Sequence, residues 1–125
     1  MKEILKIATA QFENRSGDKE YNLGVIRSLA QKASGAGADV IAFHECSITG
    51  YTFARNLSKD QMLNLAEDLT DSASVRQLES IAADYNIVVL AGLFEKDKED
   101  NLFKAYICVD KDGLIADNLR SIAPW

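Results

Sequence analysis

The 125-residue sequence has one histidine, one proline and two cysteines, and these low counts exclude several kinds of protein. Cys46 and Cys108 lie far apart, and neither belongs to a Cys-x-x-Cys pair or to a cluster with His44, the only histidine. Zinc modules and small disulfide-stapled folds need denser sets of these residues than this chain has. We therefore expect no metal and no other cofactor.

The sequence also lacks a run of the ~18 apolar residues that a membrane span requires. The segment from Met1 to Lys6 has neither the apolar region nor the small-residue cleavage site of a signal peptide. The formal charge is −5, and the basic residues are dispersed rather than gathered into a stripe. These absences predict a cytoplasmic protein that binds neither nucleic acid nor membranes.

The composition that remains is typical of one soluble globular domain, with 47% hydrophobic and 26% charged residues. No repeat, low-complexity tract or interdomain linker interrupts the sequence, and the single proline is Pro124. We therefore expect residues 1–125 to form a single domain with a buried core.

Strand and helix patterns alternate in the first half of the sequence. Residues 5–10 are apolar-biased and predict a strand, and residues 19–34 place apolar side chains at three- and four-residue spacing before a glycine-rich stop. Residues 38–43 form a nearly unbroken apolar run, typical of a central strand covered on both faces. Together they predict a right-handed βαβ unit, followed by a loop over residues 44–56.

The second half predicts helices and then antiparallel strands. A short helix is predicted from residue 57, and residues 70–72 can cap a second helix that runs to Tyr85 and stops at Asn86. A buried strand follows over 87–94, then a solvated turn over 95–101 and a hairpin with strands over 102–109 and 114–116. The predicted fold class is α/β, with a mixed sheet and helices on one side.

Glu45 follows directly after the strand that ends at Phe43. In open α/β sheets this carboxyl edge is where ligands bind and catalytic groups project. Position alone leaves two alternatives, a functional carboxylate or an ordinary loop glutamate that caps a backbone amide.

The sequence around Glu45 favours a functional carboxylate, because it resembles the glutamate motif of the nitrilase, or carbon-nitrogen hydrolase, superfamily. The resembling residues are Phe43-His44-Glu45 followed by Thr49-Gly50-Tyr51. The likeness continues through the opening strand, the helix stop and the hairpin around Gly113, so that it extends over residues 5–116 in the family's order. The chain thus resembles the N-terminal half of a carbon-nitrogen hydrolase.

The resemblance implies a fold and an activity. The fold is an αββα four-layer sandwich commonly paired across subunits, of which this chain supplies about half, so we expect a homo-oligomer that covers the open sheet face. The activity is hydrolysis of a small amide or nitrile through a Cys-Glu-Lys triad, with Glu45 as general base and acid. Tyr51 and Phe53 are candidate substrate-binding residues, although aromatic residues in such a loop pack against the scaffold equally often.

The sequence departs from the family at the lysine of its second motif, which normally reads close to Arg-Lys-x-His-Pro. Counting from Gly113 places Arg120 at the lysine position, whereas aligning on Pro124 places Ser121 there. Arginine keeps the positive charge with a different geometry, and serine removes it. The resemblance therefore leaves both alternatives open.

The nucleophilic cysteine of the family comes later than residue 125. Cys46 is a poor substitute, because neighbours such as Glu45 and Cys46 point to opposite sides of an extended backbone. Cys108 lies within an apolar strand, where a free cysteine is usually a small buried hydrophobe. We therefore expect this chain to be inactive alone.

His44 stands where relatives commonly have proline, and we expect a polar side chain at the edge of the site rather than a metal or acid-base role.

A non-catalytic α/β module that forms oligomers or binds a partner remains an alternative. A dinucleotide-binding unit is disfavoured because residues 11–17 contain no glycine-rich phosphate loop.

Overall fold

The structure is a computed structural model that describes residues 4–122. Its helices and strands, in chain order, are β1 (Ile7–Ala10), α1 (Lys19–Gly35), β2 (Val40–Phe43), α2 (Lys59–Leu65), α3 (Ala73–Tyr85), β3 (Val88–Lys96), β4 (Leu102–Asp110) and β5 (Gly113–Ser121). Two short 3-10 helices, Thr52–Asn56 and Leu69–Asp71, lie in the connections on either side of α2.

The five strands form one sheet in the order β1-β2-β3-β4-β5. The first three strands run parallel because helical crossovers connect them, and β4 and β5 join antiparallel because short turns connect them. The predicted α/β class with a mixed sheet is therefore confirmed.

The long helices α1 and α3 pack on one face of the sheet, where the larger apolar core lies. Alternate residues of the central strands point into it, as expected for pleated strands. Its fully buried members include Ile26, Ala30, Ile41, Leu78, Ile81, Val89, Leu93 and Ile107. Each large aliphatic side chain buried in this way contributes about 2 kcal/mol. Over residues 4–122, no helix is long and apolar enough to cross a membrane.

The opposite face of the sheet is covered only at one end. There a second cluster joins the short helix α2 to the end of β3, and its central contacts involve Cys46, Met62, Phe94 and Leu102. Further along this face, Val40, Val88 and Leu90 are only half-buried. We call this uncovered part, formed by the alternate residues of β1 to β4 that point away from the long helices, the open face.

Two strands are longer than the sequence predicted. Residues Glu95 and Lys96, expected in a solvated turn, continue β3 because the Glu67 backbone pairs with this strand: Glu67 N donates to Phe94 O, and Lys96 N donates to Glu67 O. The last strand was expected to end at residue 116, but its ladder with β4 continues to Ser121. Their polar composition conceals both extensions, because Glu95 and Lys96 are only partly buried and residues 117–121 are exposed on both faces.

Polar caps define the helix ends. Ser58 and Gln61 form a capping box that begins α2, two residues later than predicted. Ser72 accepts a hydrogen bond from Val75 N at the start of α3, and Asn86, with a φ of 48°, ends that helix in the left-handed conformation. The predicted cap and stop of α3 are therefore confirmed.

Candidate active site

Glu45 lies just beyond β2 and projects beside β4. Its Oε2 accepts a hydrogen bond from Lys104 Nζ at 3.0 Å. The Glu45 side chain is 67% exposed, whereas that of Lys104 is only 14% exposed. The carboxylate is therefore anchored at one oxygen by a nearly buried cation and remains accessible from solvent.

A glycine in β3 allows the Glu45 loop to lie directly on the sheet. A Cβ added to Gly92 would collide with Cys46 N and lie 3.1 Å from the Glu45 carbonyl carbon. Gly92 also pairs with the loop, since its oxygen accepts from Ile48 N at 2.9 Å and its N–H donates to Ser47 Oγ at 3.2 Å. Any larger residue would displace the segment that carries Glu45.

Two asparagines hold the other side of the same loop. Asn22 is fully buried, and its Nδ2 donates to Ile48 O and to Arg15 O, at 2.8 Å each. Asn14 Nδ2 donates to Cys46 O at 3.1 Å. Cys46 O and Arg15 O also accept backbone hydrogen bonds, whereas the bond from Asn22 satisfies Ile48 O, and losing a buried bond of this kind costs about 1–3 kcal/mol.

The cysteine beside Glu45 is structural. Cys46 has a φ of 52°, so the expectation of an extended backbone at this point was wrong: the chain turns sharply here so that it can follow Gly92. The thiol is 1% exposed, and burial raises its pKa to about 11. A protonated, inaccessible thiol is a poor nucleophile.

The other cysteine is less buried than the sequence predicted. Cys108 lies on β4 with its side chain on the open face, opposite Leu90, and is half-buried. Strand alternation explains the difference, because this face has no helix over it. Burial raises the pKa of this thiol as well.

Of the two aromatic residues singled out in the sequence, the structure places Tyr51 beside Glu45. Lys104 Nζ lies 5.0 Å from the centroid of the Tyr51 ring, within the range of a cation–π contact. The same ring stacks on Phe94 at 6.3 Å and is 54% exposed. Tyr51 thus forms a wall next to the Glu45–Lys104 pair.

Phe53 packs in a different place. A Cβ added to Gly50 would lie 3.3 Å from its ring, and one added to Gly17 would lie 3.6 Å away. Both glycines have positive φ angles, and because they carry no side chain the ring can lie close to their backbone. The position of Phe53 is explained by packing between two turns.

The strand pairing distinguishes the two candidates for the family's lysine position. Arg120 is opposite Lys104 and therefore shares the face of the sheet to which Lys104 points, whereas Ser121 is opposite Phe103 on the other face. Arg120 also lines a shallow depression of about 50 Å³ together with Glu45, Lys104, Tyr106 and Asn118. Pro124, on which the alternative alignment depends, lies outside the described residues.

The edge of the site contains His44. Its ring lies edge-on to Phe12, with 5.2 Å between centroids, and burial lowers its pKa. Nearby, the Tyr106 hydroxyl donates to Phe43 O at 2.6 Å and so ties β4 to the end of β2. Within residues 4–122, no group of three or more histidine, cysteine, aspartate or glutamate side chains is arranged to hold a metal ion.

A larger cleft of about 850 Å³ lies elsewhere, against α1 and α3. Size alone would favour it as a binding site. Its charged side chains, however, are largely engaged with one another. The ion pairs are Lys19–Glu67, Arg76–Asp71 and Lys98–Asp68. We favour the smaller depression because it contains Glu45, the glutamate of the sequence motif.

The sequence predictions missed three kinds of residue that build this site. Lys104 is the only charged residue between Leu102 and Val109, and that isolated charge in an apolar strand was a usable signal. Gly92 inside an apolar strand was another, because glycine there often marks a close backbone approach. Asn14 and Asn22 gave no signal, because their partners are loop carbonyls distant in sequence.

Comparisons with known proteins found a family match and several relatives. Residues 6–125 match the family described as carbon-nitrogen hydrolase. A nitrilase of Pyrococcus abyssi is 25% identical over 112 residues, which are 90% of this chain and 41% of that protein. An aliphatic nitrilase of Rhodococcus rhodochrous is 27% identical over 127 residues, covering 95% of this chain and 34% of the relative.

A solved structure shares the fold. The crystal structure of the N-terminal amidase C187S variant superposes with a TM-score of 0.77 at 21% identity, and the match covers 93% of this chain and 27% of that one. The chain thus corresponds to part of the domain that these longer proteins contain. Because the family match extends over nearly the whole sequence, this chain belongs to the carbon-nitrogen hydrolase family.

Proposed function

We propose that Glu45 is the acid-base residue of a site that hydrolyses small amides or nitriles. The observation that carries this proposal is the asymmetric Glu45–Lys104 pair, in which the carboxylate is 67% exposed and the lysine 14%. A carboxylate with one oxygen anchored and the side chain accessible can accept a proton from a thiol and return it to a leaving nitrogen. Tyr51 forms the adjoining wall of the substrate site.

The nucleophile in this proposal comes from outside the 125 residues. Burial keeps the thiol of Cys46 protonated and out of reach, and burial together with the charge of Asp110 raises the pKa of Cys108. The family mechanism needs a cysteine thiolate to attack the substrate carbon while Glu45 removes its proton. We therefore expect the 125-residue chain to bind substrate weakly and to show no turnover alone.

The open face supports the proposal that a second copy of the chain covers it. Ile4, Leu5 and Ile7 are more than half exposed at the edge formed by β1, and the neighbouring Val40 and Val88 are half-buried. An apolar surface of this kind favours association in water. Light scattering should detect a dimer or larger assembly, and a monodisperse monomer at high dilution would contradict this part of the proposal.

The test of the proposed function is a ligand-observed NMR titration of the chain with propionamide and propionitrile. We expect binding in the millimolar range, which corresponds to about 4 kcal/mol or less, because only part of the pocket is present. Glu45→Gln should weaken the binding of propionamide, since the amide N–H of this ligand loses a charged acceptor. Glu79→Gln, on the opposite side of the sheet in α3, is the matched control and should bind as the wild type does.

The same preparation should release no ammonia from a panel of amides and nitriles. Ammonia release that Glu45→Gln abolishes would show that this chain contains its own nucleophile. Equal binding by the wild type and Glu45→Gln would contradict the role of Glu45. The cytoplasmic location stays a prediction, which microscopy of the native protein in its source cells would test.

A further inference from the structure

We propose that Lys104 is the positioning residue of this site: its ammonium fixes the Glu45 carboxylate and supplies the positive charge that the family motif draws from a lysine near residues 120 and 121. The inference rests on the proposed function and extends it to a strand outside that motif. Lys104 and Glu45 are 59 residues apart in sequence and meet only because β4 lies beside β3, over which the Glu45 loop is laid.

The burial of Lys104 is the first argument. Its side chain is 14% exposed, although a lysine in a strand with an uncovered face could extend into solvent. Its ammonium instead lies 3.0 Å from Glu45 Oε2 and 5.0 Å from the Tyr51 ring. Two independent contacts therefore direct the cation toward the candidate acid-base group.

Arg120 is the other cation that could lie beside Glu45, and its environment differs from that of Lys104. Arg120 is opposite Lys104 in the β4–β5 ladder and lines the same depression. Its side chain is exposed, and among residues 4–122 it forms no ion pair with Glu45. An exposed guanidinium is screened by solvent and by salt, so the less exposed ammonium exerts the larger effect on the carboxylate.

The consequence for chemistry follows from charge and geometry. A fixed ammonium holds one oxygen of the Glu45 carboxylate in place and leaves the other free to accept a proton from a thiol. It also removes rotational freedom from an exposed glutamate, so that less entropy is lost when substrate binds. No lysine at position 120 or 121 is then needed for either task.

The experiment combines heteronuclear NMR of the lysine ammonium groups with the propionamide titration, using the whole 125-residue chain. Glu45→Gln should shift and broaden the Lys104 ammonium signal and leave Lys98 unchanged. Asp68→Asn is the matched control, since it breaks the Lys98–Asp68 pair of 2.6 Å and should affect only Lys98. Circular dichroism verifies that each variant is folded.

In the titration, Lys104→Met should weaken propionamide binding by about fivefold or more, and Lys104→Arg should stay within about twofold of the wild type. Lys98→Met, a matched substitution at the larger cleft, should also stay within about twofold. This pattern supports the proposal. If Lys104 only packed against its neighbours, Lys104→Arg, which keeps the charge but changes the shape of the side chain, would not restore binding.

Three results would overturn it. A Lys104 signal that is insensitive to Glu45→Gln shows that the pair does not form in solution. If the pair forms in the wild type but Lys104→Met binds propionamide as tightly as the wild type does, the lysine has no positioning role. Absence of propionamide binding by the wild type, with the pair intact, overturns the proposed function and with it the role of Lys104, while leaving the pair as a structural contact.

Discussion

Two glutamate–lysine pairs in this molecule have the same distance between their charged atoms, but one glutamate is buried and the other is exposed. Glu45–Lys104, at the open face, and Glu67–Lys19, at the cleft beside α1 and α3, each have 3.0 Å between the ammonium nitrogen and the carboxylate oxygen. The Glu67 side chain is 12% exposed, whereas the Glu45 side chain is 67% exposed. A distance alone therefore does not separate a structural carboxylate from a functional one.

The remaining hydrogen bonds make the distinction. Glu67 also accepts from Ser72 Oγ at 2.7 Å, from Ser74 N at 3.0 Å and from Ser74 Oγ at 2.5 Å. Burial alone would raise the pKa of Glu67, but the bonds from Ser74 and Ser72 and the charge of Lys19 lower it. All of its accepting capacity is used inside the protein, whereas Glu45 accepts one side-chain bond, from Lys104.

The largest effect should come from the glycine that supports the Glu45 loop. Gly92→Ala places a methyl group against the backbone of Cys46, which cannot yield without moving the loop, so we expect a loss of about 3 kcal/mol in the free energy of unfolding. Urea unfolding measures it. Gly24→Ala in α1 is the control, because a Cβ there meets nothing within 4 Å, and it should stabilise the protein by about 0.5–1 kcal/mol. Similar stability for the two variants would contradict the close approach at Gly92.

The next effect compares the two glutamates directly. Glu67→Gln replaces one acceptor oxygen with an amide NH2 group that faces other donors, and it leaves Lys19 without its counterion, so we expect a loss of about 2 kcal/mol. Glu45→Gln should cost less, about 1 kcal/mol, because the Glu45 carboxylate is exposed and accepts only one side-chain bond, although Lys104 loses its counterion. Chemical denaturation of both variants near neutral pH measures the difference. A larger loss in Glu45→Gln would show that Glu45 is structural.

A third carboxyl group sharpens the comparison through its pH dependence. Burial, with Asp117 next to it and the charges of Asp68 and Asp97, raises the pKa of Glu95 to about 8. The folded state therefore keeps a proton on Glu95 at pH values where the unfolded chain has released it. The contribution of this proton to the free energy of unfolding is fully present below about pH 4.5 and is lost as the pH rises through about 8.

The variant for this prediction is Glu95→Gln, which keeps the shape and removes the titration. Thermal melting at about pH 5 and about pH 9 should show a smaller decrease in Tm for the variant than for the wild type. Glu99→Gln, in the following turn, is the control and should leave the decrease unchanged. An identical decrease in wild type and Glu95→Gln would contradict a raised pKa at Glu95.

The fold was predictable where local pattern and burial agree. Strand β2, helix α1 and the cap at Ser72 were recovered within a few residues, because their apolar periodicity and polar stops are encoded nearby. The extensions of β3 and β5 were not, because tertiary pairing partners, the Glu67 backbone and the β4 strand, decide whether exposed polar residues remain extended.

The site was predictable only in part. The sequence located Glu45 because its neighbours form a recognisable motif, but it could not show which charge lies beside it. Lys104 is brought there by a register between distant strands, and Cys46 turns because Gly92 permits it. Such contacts depend on the assembled sheet, and the spacing of residues along the chain does not predict them.

The most direct test of the account is the map of backbone amide shifts that propionamide causes in the isotope-labelled chain. The account predicts shifts centred on Glu45, Tyr51 and Lys104 that disappear in Glu45→Gln. Shifts centred on Lys19 and Glu67, in the larger cleft, would contradict it and would place the ligand on the side of the molecule that we assign to structure.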